Sequence, residues 1–261
     1  MIDLSNKKIG IVLSGGGAKG IYQVGIFRAL EEMGLEKNNI LLAGTSIGAM
    51  NSLQYACHDT DHVRSFIYGL GNLFKTSKDI ADGEDKVKTM ELRSKEFMRE
   101  QYPDESIINN RIPVTACAFS TEKGQTQYYK LSDYSPEDQR LIVLGSGSLP
   151  GIMPPVNVGG YLLSDGGVPP KTYTPTSAPD KIPVNALAGE DLDMLIISYL
   201  KPHDRADLSR FNKKVKIYEL IPSRPLEKIP GTGTSDFRES VLEEHELLGY
   251  EETIKFFNDQ K

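Results

Sequence analysis

The first apolar run, Ile9-Gly10-Ile11-Val12-Leu13 behind Lys8, is unbroken and rich in aliphatic and β-branched side chains, the pattern of a buried strand. From Ile21 the spacing changes. Apolar residues at Ile21, Val24, Phe27 and Leu30 to Met33 follow a helical period that closes at Gly34, a residue suited to a helix C-terminus. A second short apolar run, Ile40-Leu41-Leu42-Ala43, then restores the strand pattern. Strand, helix and strand in this order form a βαβ unit, because parallel neighbours need a crossover of this length.

The same reading carries on down the chain. Helical character resumes at Ala49 to Ala56 and again from Val63 to Phe74. Lys75 to Lys95 is charged and poor in strand signal, so the segment around 59–105 is expected to form one or two cap helices over the site or a solvated excursion. Phe66, Ile67, Leu70, Leu73 and Phe74 suit an acyl groove and ordinary core equally well. Ile112 to Phe119 and Thr126 to Leu131 predict two strands joined by a hairpin-like connection. Ser135-Pro136-Glu137-Asp138 starts a helix with a serine cap, proline at the first position and acids in the first turn. Tyr161-Leu162-Leu163, Asp193 to Leu200 and Val215 to Ile221 predict further strands, and Asp236 to Phe257 a closing amphipathic helix. The whole is an α/β chain, expected to be a single domain over 1–261 with a mainly parallel central sheet and a small helical cap.

Composition narrows the classes of function. At 261 residues the chain is long enough for one large α/β unit, and its net charge of −6 without a clustered Lys/Arg face argues against a general nucleic-acid binder. Cys57 and Cys117 are too few and too far apart for a disulfide framework. Neither a cleaved signal peptide nor an apolar run long enough to cross a bilayer is visible, so the expected address is cytoplasmic, with export that leaves no cleaved signal still open.

Candidate chemistry sits in three turns. Gly44-Thr45-Ser46-Ile47-Gly48 joins a strand to a helix with a lone serine at the apex, and glycines two residues to either side allow the tight bend that lifts a hydroxyl clear of a sheet. Ser14-Gly15-Gly16-Gly17-Ala18-Lys19-Gly20 follows the first strand and opens a helix. It fits G-x-G-x-x-G, but the second strand ends in Ala43-Gly44-Thr45-Ser46 rather than in an acidic residue for a ribose, and Lys19-Gly20-Ile21 is not the Gly-Lys-Ser/Thr of a phosphate loop. The other use of such a turn is an oxyanion hole, in which consecutive glycines let backbone N–H groups converge. Lys19 then orients the turn, faces an acidic head group, or is an exposed surface lysine. The third turn, Ser164-Asp165-Gly166-Gly167, places a carboxylate at a strand's end, where an ordinary Asp-Gly turn is the competing explanation.

Together these three motifs, in this order and spacing, resemble the patatin-like phospholipases, as does the segment Gly145-Ser146-Gly147-Ser148-Leu149-Pro150-Gly151-Ile152-Met153-Pro154-Pro155 ahead of the aspartate. The resemblance covers roughly residues 7–60 and 112–200. It implies a three-layer α/β/α fold and hydrolysis of lipid acyl esters by a Ser–Asp dyad without histidine, metal or cofactor. Carried over, Ser46 is the nucleophile and Asp165 the proton acceptor. Gly15, Gly16, Gly17 and Ile47 supply the oxyanion hole, supported by Lys19, Gly20, Gly44, Gly48, Gly166 and Gly167. The residues themselves bear on the choice between dyad and triad. A triad in the order Ser, Asp, His needs a histidine after Asp165, and His203 lies in a polar loop while His245 is expected on the charged face of the last helix.

The implied substrate is the ester of a phospholipid, lysophospholipid or related lipid, met through peripheral membrane contact at most. An acyltransferase using the same acyl-serine, and a catalytically vestigial lipid-binding protein on this scaffold, are the alternatives. One departure from the family pattern stands out. The family commonly moves quickly from Asp-Gly-Gly to an Asn-x-Pro element, whereas here Pro169 to Pro179 is inserted before Ile182-Pro183-Val184, either as a rim loop or as a surface insertion.

Overall fold

The computed structural model describes residues 4–77, 84–172, 178–229 and 231–259. In chain order the first half contains β1 (Ile9–Leu13), α1 (Ile21–Glu32), β2 (Ile40–Thr45), α2 (Ile47–Cys57), α3 (Thr60–Ser77), α4 (Glu84–Gln101) and α5 (Asp104–Asn109). The second half contains β3 (Val114–Ser120), β4 (Gln125–Lys130), α6 (Pro136–Ser146), β5 (Val156–Val158), β6 (Tyr161–Asp165), β7 (Met194–Ser198), β8 (Lys216–Leu220) and α7 (Glu239–Asp259).

Among the described residues the strands form one sheet ordered β5-β6-β3-β2-β1-β7-β8, with β4 paired to β3 as well. The run β3-β2-β1-β7-β8 is parallel, while β4, β5 and β6 join antiparallel. β1 and β7 are buried along their whole length, as central strands covered on both faces must be, and this explains their continuous apolar runs.

The two edges of β3 are used differently. β4 pairs with β3 from Thr115 to Ser120 and so occupies one edge entirely. The other edge is divided: β2 pairs with Val114 to Cys117 running parallel, and β6 pairs with Ala118 to Ser120 running antiparallel. β2 and β6 therefore meet end to end, with Thr45 opposite Cys117 and Asp165 opposite Ala118.

One face of the sheet buries Ile9, Ile11, Ile40, Leu42, Ala116 and Ile196 under α1, α2, α3, α6 and α7. The other face buries Val12, Leu41, Ala43, Leu195 and Ile197 under a thinner layer, made by the 3-10 turn Val184–Leu187 and by Leu208 and Phe211. α3 is integral to the thick layer. Val63, Phe66 and Ile67 are fully buried, Phe66 lies against Phe97 and Tyr102, and the Tyr102 hydroxyl donates to the Met50 carbonyl of α2 at 3.0 Å. Phe66 and Ile67 are thus core rather than an open groove.

Element boundaries track the sequence pattern closely, apart from β5 and the placement of His245. The charged stretch from Lys75 is helical where it is described, as expected, ending α3 at Ser77 and resuming as α4 from Glu84, and residues 78–83 within it lie outside the described residues. The short strand β5 is not evident from the sequence. His245, expected on a charged surface, is buried, with Glu244, Arg224, Asp236 and Lys228 as the charged groups around it, and its neighbour Glu246 is buried where it receives Arg28 of α1 at 3.0 Å and Arg64 of α3 at 2.8 Å. Of the insertion from Pro169 to Pro179, residues 173–177 also lie outside the described residues.

α7 lies along α1 at backbone contact distance. A Cβ added at Gly25 would fall 2.0 Å from the Glu246 carbonyl oxygen, and one added at Gly249 would fall 2.1 Å from that of Tyr22. Only glycine permits this crossing, so Gly249→Ala is expected to cost about 1–3 kcal/mol through overpacking. For a chain of this size that lowers Tm by roughly 3–10 °C in a thermal melt, and an unchanged Tm would contradict the close crossing.

Candidate active site

Ser46 is the residue between β2 and α2, and its backbone is strained: φ is 57° and ψ −127°, a region that non-glycine residues avoid at a cost of order 1–3 kcal/mol. Neighbours hold it there. Its N–H donates to the Ser146 Oγ at 2.8 Å, and that hydroxyl in turn donates to the Cys117 carbonyl at 2.6 Å. Glycine at both flanks is a steric need, since a Cβ at Gly44 would lie 2.2 Å from Gly48 and a Cβ at Gly48 would lie 2.1 Å from the Leu13 carbonyl. Although Ser46 occupies the N-cap of α2, its hydroxyl makes no capping bond, which leaves it free for another partner.

The glycine turn after β1 arches over this point. A Cβ built at Gly15 would lie 3.1 Å from the Ser46 Cβ. The backbone groups of the turn divide into two sets. Gly15 donates to the Lys181 carbonyl at 3.0 Å and Ala18 to the Thr234 carbonyl at 2.9 Å, so both are already committed. Among the described residues no acceptor faces the N–H groups of Gly16, Gly17 or Ile47. Of the four residues expected to supply an oxyanion hole, Gly15 therefore has its N–H taken and acts as an attachment point.

Asp165 ends β6 and is 3 % exposed. Its carboxylate interacts with the Ser46 hydroxyl, and its Oδ1 accepts the N–H groups of Gly167 at 2.9 Å and Val168 at 3.1 Å. Burial nevertheless dominates and pushes the carboxyl above the usual carboxylate range, against the pull of these donors and of Lys181. The structure thus brings the glycine turn and the Asp165 turn to Ser46.

These observations can be set beside known proteins. A sequence model described as patatin-like phospholipase matches residues 11–172. The chain belongs to the patatin-like phospholipase family. Among curated relatives, the lysophospholipase nte1 of Aspergillus terreus is 31 % identical over 173 residues, covering 63 % of this chain and 10 % of the relative. The lysophospholipase NTE1 of Eremothecium gossypii is 31 % identical over 179 residues, covering 63 % of this chain and 11 % of its own length. The chain therefore spans about a tenth of the length of these relatives. Among solved structures, VipD from Legionella pneumophila superposes with a TM-score of 0.52 at 14 % identity, covering 97 % of this chain and 67 % of that one, which is a likeness of fold.

The other site residues of this patatin-like chain can now be placed. Lys19 is 2 % exposed, so it is not a surface lysine, and burial, then the charges of Lys201 and Lys181, pushes its ammonium down to about 8. Gly20 packs on Ile47, and Gly166 lies against the Cys117 carbonyl. His203 is not buried, and the charged groups around His245 are Glu244, Arg224, Asp236 and Lys228, none of them part of the three turns. Among the described residues no group of three or more His, Cys, Asp or Glu side chains is arranged to hold a metal ion.

Several residues that matter here are not singled out by sequence. Gln23 donates to the Ser14 carbonyl at 2.9 Å, while Asn51 donates to the Gly20 carbonyl at 3.1 Å and to Gln23 Oε1 at 2.8 Å, which clamps the glycine turn to α2. The Ser148 carbonyl accepts the Asp165 N–H at 3.1 Å and the Ser164 hydroxyl at 3.1 Å. For Gln23 and Asn51 the available signal is a polar side chain inside an otherwise buried helix, where a plain core would carry an aliphatic.

The raised carboxyl makes Asp165 a destabilising charge near neutrality. The folded protein binds its proton more tightly than the unfolded chain, so stability falls as pH rises from the unfolded pKa through the folded one. Asp165→Asn keeps an Oδ1 acceptor for Gly167 and Val168. It is expected to melt at a higher temperature than the wild type at pH 7, with the gap closing on acidification, as scanning calorimetry at several pH values would measure.

Proposed function

We propose that this chain is a lipid acyl hydrolase in which Ser46 is the nucleophile and Asp165 the proton acceptor. The observation that carries the reading is the meeting of β2 and β6 on one edge of β3, which sets a strained, uncapped serine against a buried carboxylate beside unpaired N–H groups. In the proposed cycle the Ser46 Oγ attacks the ester carbonyl carbon while its proton passes to Asp165. The resulting oxyanion is held by the N–H groups of Gly16, Gly17 and Ile47. Collapse expels the alcohol, which takes the proton back from Asp165. Water then attacks the acyl-serine, losing a proton to Asp165, and release of the fatty acid restores both side chains.

A free aspartate is a weak base, and the burial of Asp165 compensates by bringing its pKa nearer to neutrality. The long-chain ester of a lysophospholipid is the first substrate to try, since the named relatives are lysophospholipases. Contact with a lipid surface is supported by three exposed aliphatic side chains on loops that border the site: Ile152 beyond Ser148, Val168 beside Asp165, and Ile229 in the loop that holds the glycine turn. Among the described residues no helix is long and apolar enough to cross a membrane.

Turnover of p-nitrophenyl butyrate and release of fatty acid from lysophosphatidylcholine should fall by about 10³-fold or more in Ser46→Ala and in Asp165→Asn. In the wild type kcat/KM should rise with pH through an ionisation above the ordinary carboxylate value. A fluorophosphonate probe should label wild type and not Ser46→Ala, and activity retained in Ser46→Ala would overturn the assignment.

A further inference from the structure

The dipeptide Asp180-Lys181 reaches each of the three turns that form the site, and it does so with main-chain atoms. Its Asp180 carbonyl accepts the Thr45 hydroxyl at 2.8 Å, at the last residue of β2 before Ser46, and the Cys117 thiol at 3.4 Å. The Asp180 N–H donates to the Gly166 carbonyl at 3.0 Å, within the turn that carries Asp165. Next in the chain, the Lys181 carbonyl accepts the N–H of Gly15 at 3.0 Å, and its side-chain stem covers Gly167, where an added Cβ would lie 3.2 Å from the Lys181 Cβ. One short segment thus fastens the serine, the aspartate and the glycine turn to a common point.

Main-chain bonds can register three turns only if the strap itself is anchored, and both side chains supply anchors. Asp180 accepts the phenol hydroxyl of Tyr128 and the N–H of Ile182. Tyr128 stands on β4, on the edge of β3 opposite the one shared by β2 and β6. The Lys181 ammonium pairs with Asp204, in the loop after β7. The strap therefore runs from the β4 side of the sheet to the loop after β7, beside the carboxyl ends of β2 and β6.

We propose that Asp180 is a positioning residue for the reaction at Ser46, and that the Tyr128–Asp180 hydrogen bond is what holds it in register. The proposal rests on the hydrolase reading above. Its physical basis is that a displacement of about 1 Å between reacting groups costs on the order of 10²-fold in rate, so a strap setting three turns at once acts on kcat rather than on substrate binding. Neither residue touches the reacting atoms. Their effect passes through Thr45, Gly166 and Gly15.

The test compares Tyr128→Phe, Asp180→Ala and Asp180→Asn in steady-state hydrolysis of p-nitrophenyl butyrate, in the rate of Ser46 labelling by a fluorophosphonate, and in thermal melts. Tyr128→Phe removes a single hydroxyl from a ring that is 42 % exposed, so it keeps the proposal testable even where Asp180→Ala fails to fold. The expected result is a fall in kcat of about 10-fold for Tyr128→Phe and more for Asp180→Ala, with KM within about two-fold of wild type and labelling slowed in parallel. Asp180→Asn, which still offers Oδ1 to Tyr128, should recover most of the rate. Wild-type kcat and labelling in Tyr128→Phe, with or without a lower Tm, would overturn the positioning role while leaving the dyad intact. A wild-type protein that the probe does not label would instead overturn the hydrolase reading, and the positioning role with it.

Discussion

A strand has two edges, and β3 gives one to β4 and divides the other between β2 and β6. Because β2 arrives parallel and β6 antiparallel, their carboxyl ends face each other along the same line. The residue after β2 is Ser46 and the residue that ends β6 is Asp165. Residues more than a hundred positions apart in sequence are thus brought together by backbone hydrogen bonding before any side-chain interaction is counted. The glycine turn obeys the same logic, since β1 runs beside β2 in register and delivers Gly15 to the same end of the sheet.

This convergence carries a cost in strain and desolvation. Ser46 holds a positive φ, Asp165 is a buried carboxylate, and Lys19 is a buried ammonium crowded by two other lysines. Such groups persist only where the surroundings over-determine them. Here the surroundings are a ring of polar residues: Ser146 on the serine N–H, Gln23 and Asn51 on the glycine turn, Ser148 behind Asp165, and Asp180-Lys181 across the front. The thick helical layer supplies the rest, with α1 and α7 in backbone contact and α3 filling the space beside α2. Rigidity at the site is therefore distributed over these hydrogen bonds and the packing of the helical layer.

Much of this is legible from residue order. The apolar runs at Ile9, Ile40 and Asp193, the helical period from Ile21 and the capped start at Ser135 all mark real elements, because strand and helix periodicity arise from backbone geometry that sequence neighbours share. Ser46 and Asp165 stand out because glycines flank them, and glycine at such positions reports a backbone that other residues cannot adopt. Gly44 and Gly48 meet backbone atoms within 2.2 Å of where a side chain would begin, so their presence is a steric message written locally.

The rest depends on partners distant in the chain. Whether His245 is exposed or buried, whether Lys19 is exposed or enclosed, and whether the Gly15 N–H is free or taken by Lys181 are questions of which surfaces meet, and amphipathic spacing cannot answer them. Asp180 follows directly on the insertion from Pro169 to Pro179 and carries no motif of its own, yet its carbonyl stands against Thr45, 135 positions earlier. Sequence determined the three turns, their order and the strand that precedes each, since these are matters of local backbone preference. Tertiary structure decided that they share one end of one sheet, which N–H groups remain unpaired there, and that burial lifts Asp165, because pairing and desolvation are set by neighbours in space.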